Sequence, residues 1–113
     1  MSSNREEQRL LDILDNVTAV QSYVANMSFA DFTRNRFVVD AVERCLQRIT
    51  EAVIKIGHDW MAIIAPEVPF DALRGQGNRL RHDYDVVDHE IIYATVKHDL
   101  PLLATRCTDA LGS

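Results

Sequence analysis

The sequence has few glycines, prolines and cysteines, and it contains no long apolar run. Four glycines and three prolines among 113 residues leave room for few turns, which favours long helices. No stretch approaches the roughly 18 consecutive apolar residues of a transmembrane helix, so we expect no membrane association. The N-terminal residues, MSSNREEQ, are polar and unlike a secretion signal. We therefore expect a cytoplasmic protein.

The residues that commonly bind metals show no ligand pattern. Cys45 and Cys107 are far apart and form no CxxC pair, which argues against a zinc site. His89-Glu90 begins like an HExxH motif, but Tyr93 stands where the second histidine should be. We therefore expect two reduced, buried thiols, no metal and no cofactor.

The chain has clear helical periodicity. Apolar residues recur every three or four positions along two long segments, about 4–27 and 31–56, the second ending at Gly57. The other predicted elements are an irregular turn of helix and a loop at 58–69, a helix at 71–82, a fourth helix after Asp88, and a last short helix near Pro101. The sequence predicts one all-α domain over 1–113, an antiparallel four-helix bundle with a short extra C-terminal helix.

Positive charge is concentrated in one segment of an otherwise acidic chain. The net charge of −5 argues against a general nucleic-acid binder. Residues 74–82, however, read RGQGNRLRH and contain three arginines and no acid. Asn78 and His82 are four residues apart and share one helical face, and Tyr84 follows as the helix ends.

These residue types suit cleavage of RNA without a metal. A histidine such as His82 can take the proton from a 2′-hydroxyl or protonate the leaving oxygen, and a tyrosine can bind phosphate or stack on a base. Arginines can stabilise the charged phosphorane, and those available are Arg74, Arg79 and Arg81. The alternative is an exposed, solvated helix end, with His82 paired to a carboxylate such as Asp85 or Asp88.

Five short pieces of the sequence occur in the order and spacing of a known family. They are SFADF at 28–32, ITEA at 49–52, VPF at 68–70, NRLRHDY followed by VD within 78–88, and LPLL at 100–103. With these pieces, the chain from Phe29 to Leu103 resembles the HepT-like proteins, which belong to the HEPN group of helical ribonucleases.

The resemblance implies a metal-independent ribonuclease toxin that acts on RNA. It implies a homodimer, in which two motifs face a shared cleft. It also implies a partner, a minimal nucleotidyltransferase antitoxin that silences the toxin by attaching AMP to the motif tyrosine. By position, the motif histidine is His82, the polar residue after the motif arginine is Asn78, and the AMP acceptor is Tyr84.

The chain departs from the family motif where an arginine is expected directly before Asn78, because that residue is Gly77. Either Arg74 or Arg79 takes over the phosphate contact, or activity is weak or absent. The predicted site comprises catalytic His82, Arg79, Arg74 and Asn78, RNA-binding Arg74, Arg79 and Arg81, and modified Tyr84. Two other functions remain open at this point, a non-catalytic helical partner of a nucleotidyltransferase and a purely structural helical dimer.

Overall fold

The computed structural model describes residues 4–82 and 88–112, which are helical almost throughout. The helices are α1 Asn4–Val24, α2 Phe29–Arg34, α3 Arg36–Ile56, α4 His58–Ile64, α5 Phe70–His82, α6 His89–Ala94 and α7 Leu100–Leu111, with a π-helical segment, Thr95–Asp99, between α6 and α7. The described residues contain no strand, and the all-α prediction is confirmed. Each helix in these two ranges is either too short or too polar to span a lipid bilayer.

The two long helices α1 and α3 lie side by side and supply much of the core. Their apolar stripes contain residues without solvent exposure, among them Leu10, Ile13, Leu46 and Ile49. Burial of such a side chain contributes roughly 1.5–3 kcal/mol. Mutual coverage of two amphipathic faces therefore explains why these helices form the centre of the bundle.

Both long helices differ from the predicted limits at one end. The predicted 4–27 helix ends at Val24, because Ala25 adopts a left-handed conformation with φ of 45°. The predicted 31–56 helix is wrong at its start, since Asn35 is extended and separates α2 from α3. The Asn35 side chain accepts a hydrogen bond of 3.1 Å from the backbone N–H of Val38, which caps α3.

The segment after α3 is more regular than expected. The predicted irregular turn and loop contain α4, a helix of seven residues. Gly57, with φ of 96°, ends α3 as predicted and also lets the chain enter α4 in a new direction. Pro66 and Pro69 follow the end of α4 and therefore do not interrupt it.

The fourth member of the bundle is longer than expected. The helices α6 and α7 are joined without a break by the π-helical segment, so the predicted fourth helix and last short helix form one continuous element. Asp88 caps its start through Glu90, as predicted. Pro101 has no N–H and would clash with a carbonyl of the preceding helical turn. The widened turn before it, in which the Leu100 N–H bonds to Thr95 O, accommodates this proline.

Both cysteines are buried and free, as the sequence predicted for their packing. Cys107 has no solvent exposure, and burial raises the pKa of its thiol to about 12. Burial also raises the pKa of Cys45, against the neighbouring charges of Arg48 and Arg44. Both thiols therefore pack as small apolar side chains.

Candidate nucleic-acid interface

The helix α5 carries most of the predicted site residues and has two distinct faces. Leu73 and Leu80 are 1% and 3% exposed and anchor the helix to the core. Asn78 and Arg79 are exposed and Arg81 is half-buried. The apolar anchors on one side therefore direct the polar residues of the sequence motif towards solvent.

The direction of α5 follows from two contacts with the preceding helices. At its start, the Phe70 ring lies edge-on to His58, with centroids 5.3 Å apart, just beyond the end of α3. Two turns later, Gly77 lies against Thr50 of α3. The helix α5 therefore runs antiparallel to α3, and its C-terminal end approaches the first half of α3.

Gly77 is in the interface between α3 and α5. It is buried, and a Cβ atom built at this position would lie 2.4 Å from Oγ1 and 2.7 Å from Cβ of Thr50. A β-branched side chain in a helix is restricted in χ1 and cannot easily give way. This close approach occurs within one chain, and an arginine side chain here would begin inside the bundle.

The three arginines of the segment differ in how they are held. Arg74 lies 3.6 Å from an oxygen of Asp71, and its guanidinium is 6.0 Å from the Phe70 ring centroid. Arg81 donates a hydrogen bond of 2.5 Å to the side-chain oxygen of Asn78. The structure thus places Arg81 and Asn78 together, whereas Arg74 is held at the opposite end of α5 by its acidic neighbour.

Arg79 is the arginine of this segment with the fewest constraints in the described residues. Its guanidinium extends back along the helix, 3.8 Å from the position that a Cβ of Gly75 would occupy. No ion pair links it to another described side chain. An exposed guanidinium of this kind is available for a phosphate oxygen.

The remaining predicted residues are at the end of α5. His82 is the last residue of the helix. Its side chain and the predicted acceptor Tyr84, with the rest of 83–87, lie outside the described residues. Asp88 is occupied as the cap of α6, accepting a hydrogen bond of 2.8 Å from the Glu90 N–H. The alternative partner Asp85 is also outside the described residues.

The structure contains two polar contacts that the sequence pattern did not indicate, one of them made by α5. Gln76 is 6% exposed, and its oxygen accepts a hydrogen bond of 3.3 Å from Thr95, while its amide nitrogen has no partner in the described part of the chain. His89 and Thr33 form a hydrogen bond of 2.8 Å. The His89–Thr33 pair is separated by 56 residues, so local periodicity carries no signal for it.

Two other kinds of site can be located or tested in the described residues. A groove of about 650 Å³ is lined by α4 and α7 residues that include Trp60, Ile63 and Arg106, with Arg106 hydrogen-bonded to Glu67. It contains no residue of α5 and is separate from the exposed polar face of that helix. Across 4–82 and 88–112, no three His, Cys, Asp or Glu side chains are grouped to hold a metal ion.

Comparisons with known proteins agree with the resemblance seen in the sequence. The family model described as "Ribonuclease HepT-like" matches residues 13–109. "Putative RNase MJ1216" of Methanocaldococcus jannaschii is 36% identical over 92 residues, covering 81% of this chain and 75% of that protein. "Probable ribonuclease HepT" of Thermococcus cleftensis is 31% identical over 94 residues, covering 83% and 84%. No solved structure gives a significant match. The chain therefore belongs to the HepT-like ribonuclease family.

Proposed function

We propose that this protein is a ribonuclease toxin that cleaves RNA without a metal, at a site built on α5. The observation that carries the proposal is the polar side of α5, where exposed Asn78 and Arg79 and half-buried Arg81 precede the helix end at His82. Family membership supports the same activity. In the proposed site, His82 transfers a proton, and arginines bind the phosphate and stabilise its transition-state charge.

The three arginines are expected to contribute unequally to this activity. Arg79 and Arg81 are closest in sequence to His82 and have no acidic partner in the described residues. Arg74 is eight residues before His82 and shares its charge with Asp71. We expect Arg79→Ala or Arg81→Ala to reduce cleavage by ~10²–10³, the usual cost of losing one transition-state charge partner, and Arg74→Ala to cost less.

The direct test is incubation of the purified chain with tRNA in the presence of EDTA. Wild-type protein should cleave, and His82→Ala should lose ~10²–10⁴ in rate. His98→Ala is the matched control, because His98 is exposed in the π-helical segment and lies outside the α5 motif. Full cleavage by His82→Ala would show that the activity comes from another protein, and a requirement for metal would exclude the proposed mechanism.

Regulation by AMP attachment is the second part of the proposal. We propose a nucleotidyltransferase antitoxin as the partner and Tyr84 as the acceptor, on the strength of its position two residues after His82. An added AMP would bring a phosphate to the arginines and a purine into the path of RNA. Incubation with ATP and the partner should add about 329 Da per AMP, if the tyrosine hydroxyl is the nucleophile.

The acceptor can be assigned by comparing two tyrosines. Tyr84→Phe should prevent the mass increase, whereas Tyr23→Phe should leave it unchanged. Tyr23 is a suitable control because it is 43% exposed and lies on α1. A modified peptide that lacks Tyr84 would overturn this assignment while leaving the ribonuclease proposal intact.

A non-catalytic binding subunit is the second candidate function, and the contact between Gly77 and Thr50 favours it. The family's arginine position is occupied by helix packing in this chain. In that case the protein would bind the nucleotidyltransferase but leave tRNA intact, and His82→Ala would not change the complex. The cleavage assay combined with a binding measurement therefore separates the two functions.

We also propose that the protein acts as a homodimer. In the described part of a single chain, Asn78 and Arg79 are exposed on the surface of α5. A two-fold axis near α5 would bring Asn78 and His82 of both chains to one site, which could then enclose RNA from two sides.

A further inference from the structure

One side of α3 presents an aromatic ring and two arginines to solvent. Phe37, in the first turn of this helix, is 90% exposed, more than any other large apolar side chain of the described residues. Arg44 and Arg48 are also exposed, seven and eleven residues further along. These spacings return a side chain to within about 20° of the same direction on an α-helix. The three residues therefore form one surface, which we call the outer α3 face.

The two arginines of the outer α3 face have no ion pair within the described residues. The exposed acids of the same helix are paired with other cations, Asp40 with Arg36 at 3.6 Å and Glu51 with Lys55 at 3.2 Å. Arg44 donates a hydrogen bond of 3.0 Å to the neutral side chain of Gln47. Like charges four residues apart on a helix repel each other, and an anion bound between Arg44 and Arg48 would remove this repulsion.

The outer α3 face is on the same side of the bundle as the polar side of α5. Thr50 contacts α5, and the buried Ile49 is about 100° from it around α3, whereas the outer face is about 120–160° away in the other direction. Around α5, buried Leu80 and exposed Asn78 likewise lie in opposite directions from Gly77. Since the two helices are antiparallel and share one core, their outer surfaces face the same way.

The two arginines of α3 are close in height to Arg81 of the sequence motif. Arg81 is about 6 Å along the axis from the glycine contact between α3 and α5, towards the start of α3. Arg48 and Arg44 are about 3 Å and 9 Å from the same contact in the same direction. Phe37 is about 20 Å from it, beyond the end of α5. A polyanion that crosses α5 at Arg81 can therefore continue along α3 to Phe37.

The charge of this region favours a polyanion over a second copy of the chain. Residues 34–48 contain four arginines and two acids, although the chain as a whole has a net charge of −5. A two-fold contact through the outer α3 face would bring the arginines of one copy towards those of the other. Phosphate groups would instead neutralise the two guanidiniums.

We propose that the outer α3 face binds an unpaired segment of RNA, with Arg44 and Arg48 on phosphates and Phe37 stacked on a base. One exposed apolar side chain by itself needs no functional explanation. An aromatic ring in line with uncompensated guanidiniums, however, is the combination that binds single strands, because the charges follow the backbone while the ring stacks on a base. This inference rests on the proposed function for its ligand, RNA, and specifies RNA that is unpaired beside the α5 site.

The first test measures the salt dependence of binding. A fluorescent single-stranded oligonucleotide of about 12 nucleotides is titrated with His82→Ala protein, so that it is not cut, and anisotropy is recorded. Arg44→Gln and Arg48→Gln should each weaken binding and reduce the slope of log K against log salt by about 0.7, as for one phosphate contact on a single strand. Lys97→Gln is the control, because Lys97 is an exposed cation on the π-helical segment, which meets α5 at the buried Gln76.

The second test concerns the ring of Phe37. Phe37→Ala should weaken binding of the unpaired oligonucleotide by about 5- to 100-fold and leave the salt slope unchanged, whereas Phe37→Tyr should bind like the parent protein. A duplex of the same sequence has no free base face, so Phe37→Ala should bind it as the parent does. Ile63→Ala is the control, because Ile63 is 70% exposed on α4. Circular dichroism establishes that each variant is folded.

The results distinguish this inference from the proposed function. If wild-type protein cleaves tRNA but the Arg44, Arg48 and Phe37 variants bind RNA like their parent, the outer α3 face has no role and the ribonuclease function stands. If Phe37→Ala weakens binding only together with a halving of the particle mass in light scattering, the face is an interface between copies and the inference is wrong. Unpaired RNA that is bound with the expected salt slopes but never cut would support the inference and reject the ribonuclease function.

Discussion

Gly77 has no side chain, and the space that a side chain would need is filled by Thr50. The family resemblance would place an arginine at this position, and in this chain the position is used for packing between α3 and α5. Gly75, two residues earlier, is different, because the nearest atom to a Cβ there is the flexible end of Arg79 at 3.8 Å. The two glycines of α5 should therefore respond in opposite ways to the same substitution.

We predict that Gly77→Ala lowers the free energy of unfolding by about 1–3 kcal/mol, the usual range for overpacking of a core. Gly75→Ala should raise it by about 0.5–1 kcal/mol, because alanine has the better helix propensity and finds room. Urea unfolding measures both changes. A Gly77→Ala protein as stable as Gly75→Ala would show that α3 and α5 are not in close contact at this point.

Restoring the family's arginine should not restore a phosphate contact. In Gly77→Arg, the side chain begins against Thr50, so we expect reduced stability and no increase in the rate of tRNA cleavage. Combination with Thr50→Gly removes the side-chain obstruction and should recover part of the lost stability. Faster cleavage by the single variant would contradict this account of the position.

The sequence predicted which site residues lie on α5 but not which residues surround them. Helical spacing was sufficient to predict a helix at 71–82 that carries Asn78 and ends near His82, because this depends on one helix. It could not show that Thr50 fills the space at Gly77, or that His89 is hydrogen-bonded to Thr33. These contacts join separate helices, and a single sequence contains no local signal for them.

Helix limits depend on single polar residues and on backbone conformation, which hydrophobic periodicity does not report. The apolar stripe of α1 continues in the sequence to Met27 because that residue packs against the core after the chain has turned at Ala25. Asn35 ends α2 and begins α3 with one side chain. The predicted class is therefore correct, while several element ends are displaced.

We predict that Asn35→Ala costs about 1 kcal/mol of stability, because the first turn of α3 loses the hydrogen bond to the Val38 N–H. Asn35→Asp should be nearly neutral, since an aspartate can accept the same bond and favours the helix N-terminus. Thermal or urea unfolding gives the comparison. If Asn35→Ala and Asn35→Asp lost the same amount of stability, the hydrogen bond to the Val38 N–H would make no measurable contribution to it.

Two carboxyl groups with shifted pKa values predict how the stability of the whole molecule depends on pH. Burial raises the pKa of Asp99, and His98 partly opposes this. A carboxyl whose pKa is raised on folding destabilises the protein when it is ionised, so its contribution worsens as pH rises through the folded pKa. Glu67 is the opposite case, since its hydrogen bond with Arg106 lowers its pKa.

We predict that Asp99→Asn is more stable than wild type at pH 7 and that the difference disappears in acid, where both side chains are neutral. No side-chain cap bond is lost in this variant. For Glu67→Gln we expect the opposite result. Wild type should be more stable than the variant at pH 7, and this difference in stability should again disappear in acid. Urea unfolding at pH 7 and in acid measures these differences. If both variants were more stable than wild type at pH 7, or both less stable, the opposite pKa shifts of Asp99 and Glu67 would be contradicted.

Assembly is the other property of the whole molecule that can be tested directly. We predict that light scattering at micromolar concentration gives twice the chain mass of 12.8 kDa. A dilution series should then show whether the dimer dissociates. A particle of 12.8 kDa throughout the series would exclude the homodimer, and with it any site shared between two copies of α5.

Because Cys107 is buried, alkylation of its thiol can be used to measure local opening of the structure. A thiol with no exposure and a pKa of about 12 is protonated and out of reach of alkylating reagents while α7 is docked. Its labelling rate is therefore limited by the rate of transient undocking, or is proportional to the population of the undocked state. Time-resolved alkylation, measured by mass spectrometry, can then show whether RNA or a partner protein slows the undocking of α7. The measurement needs no engineered probe.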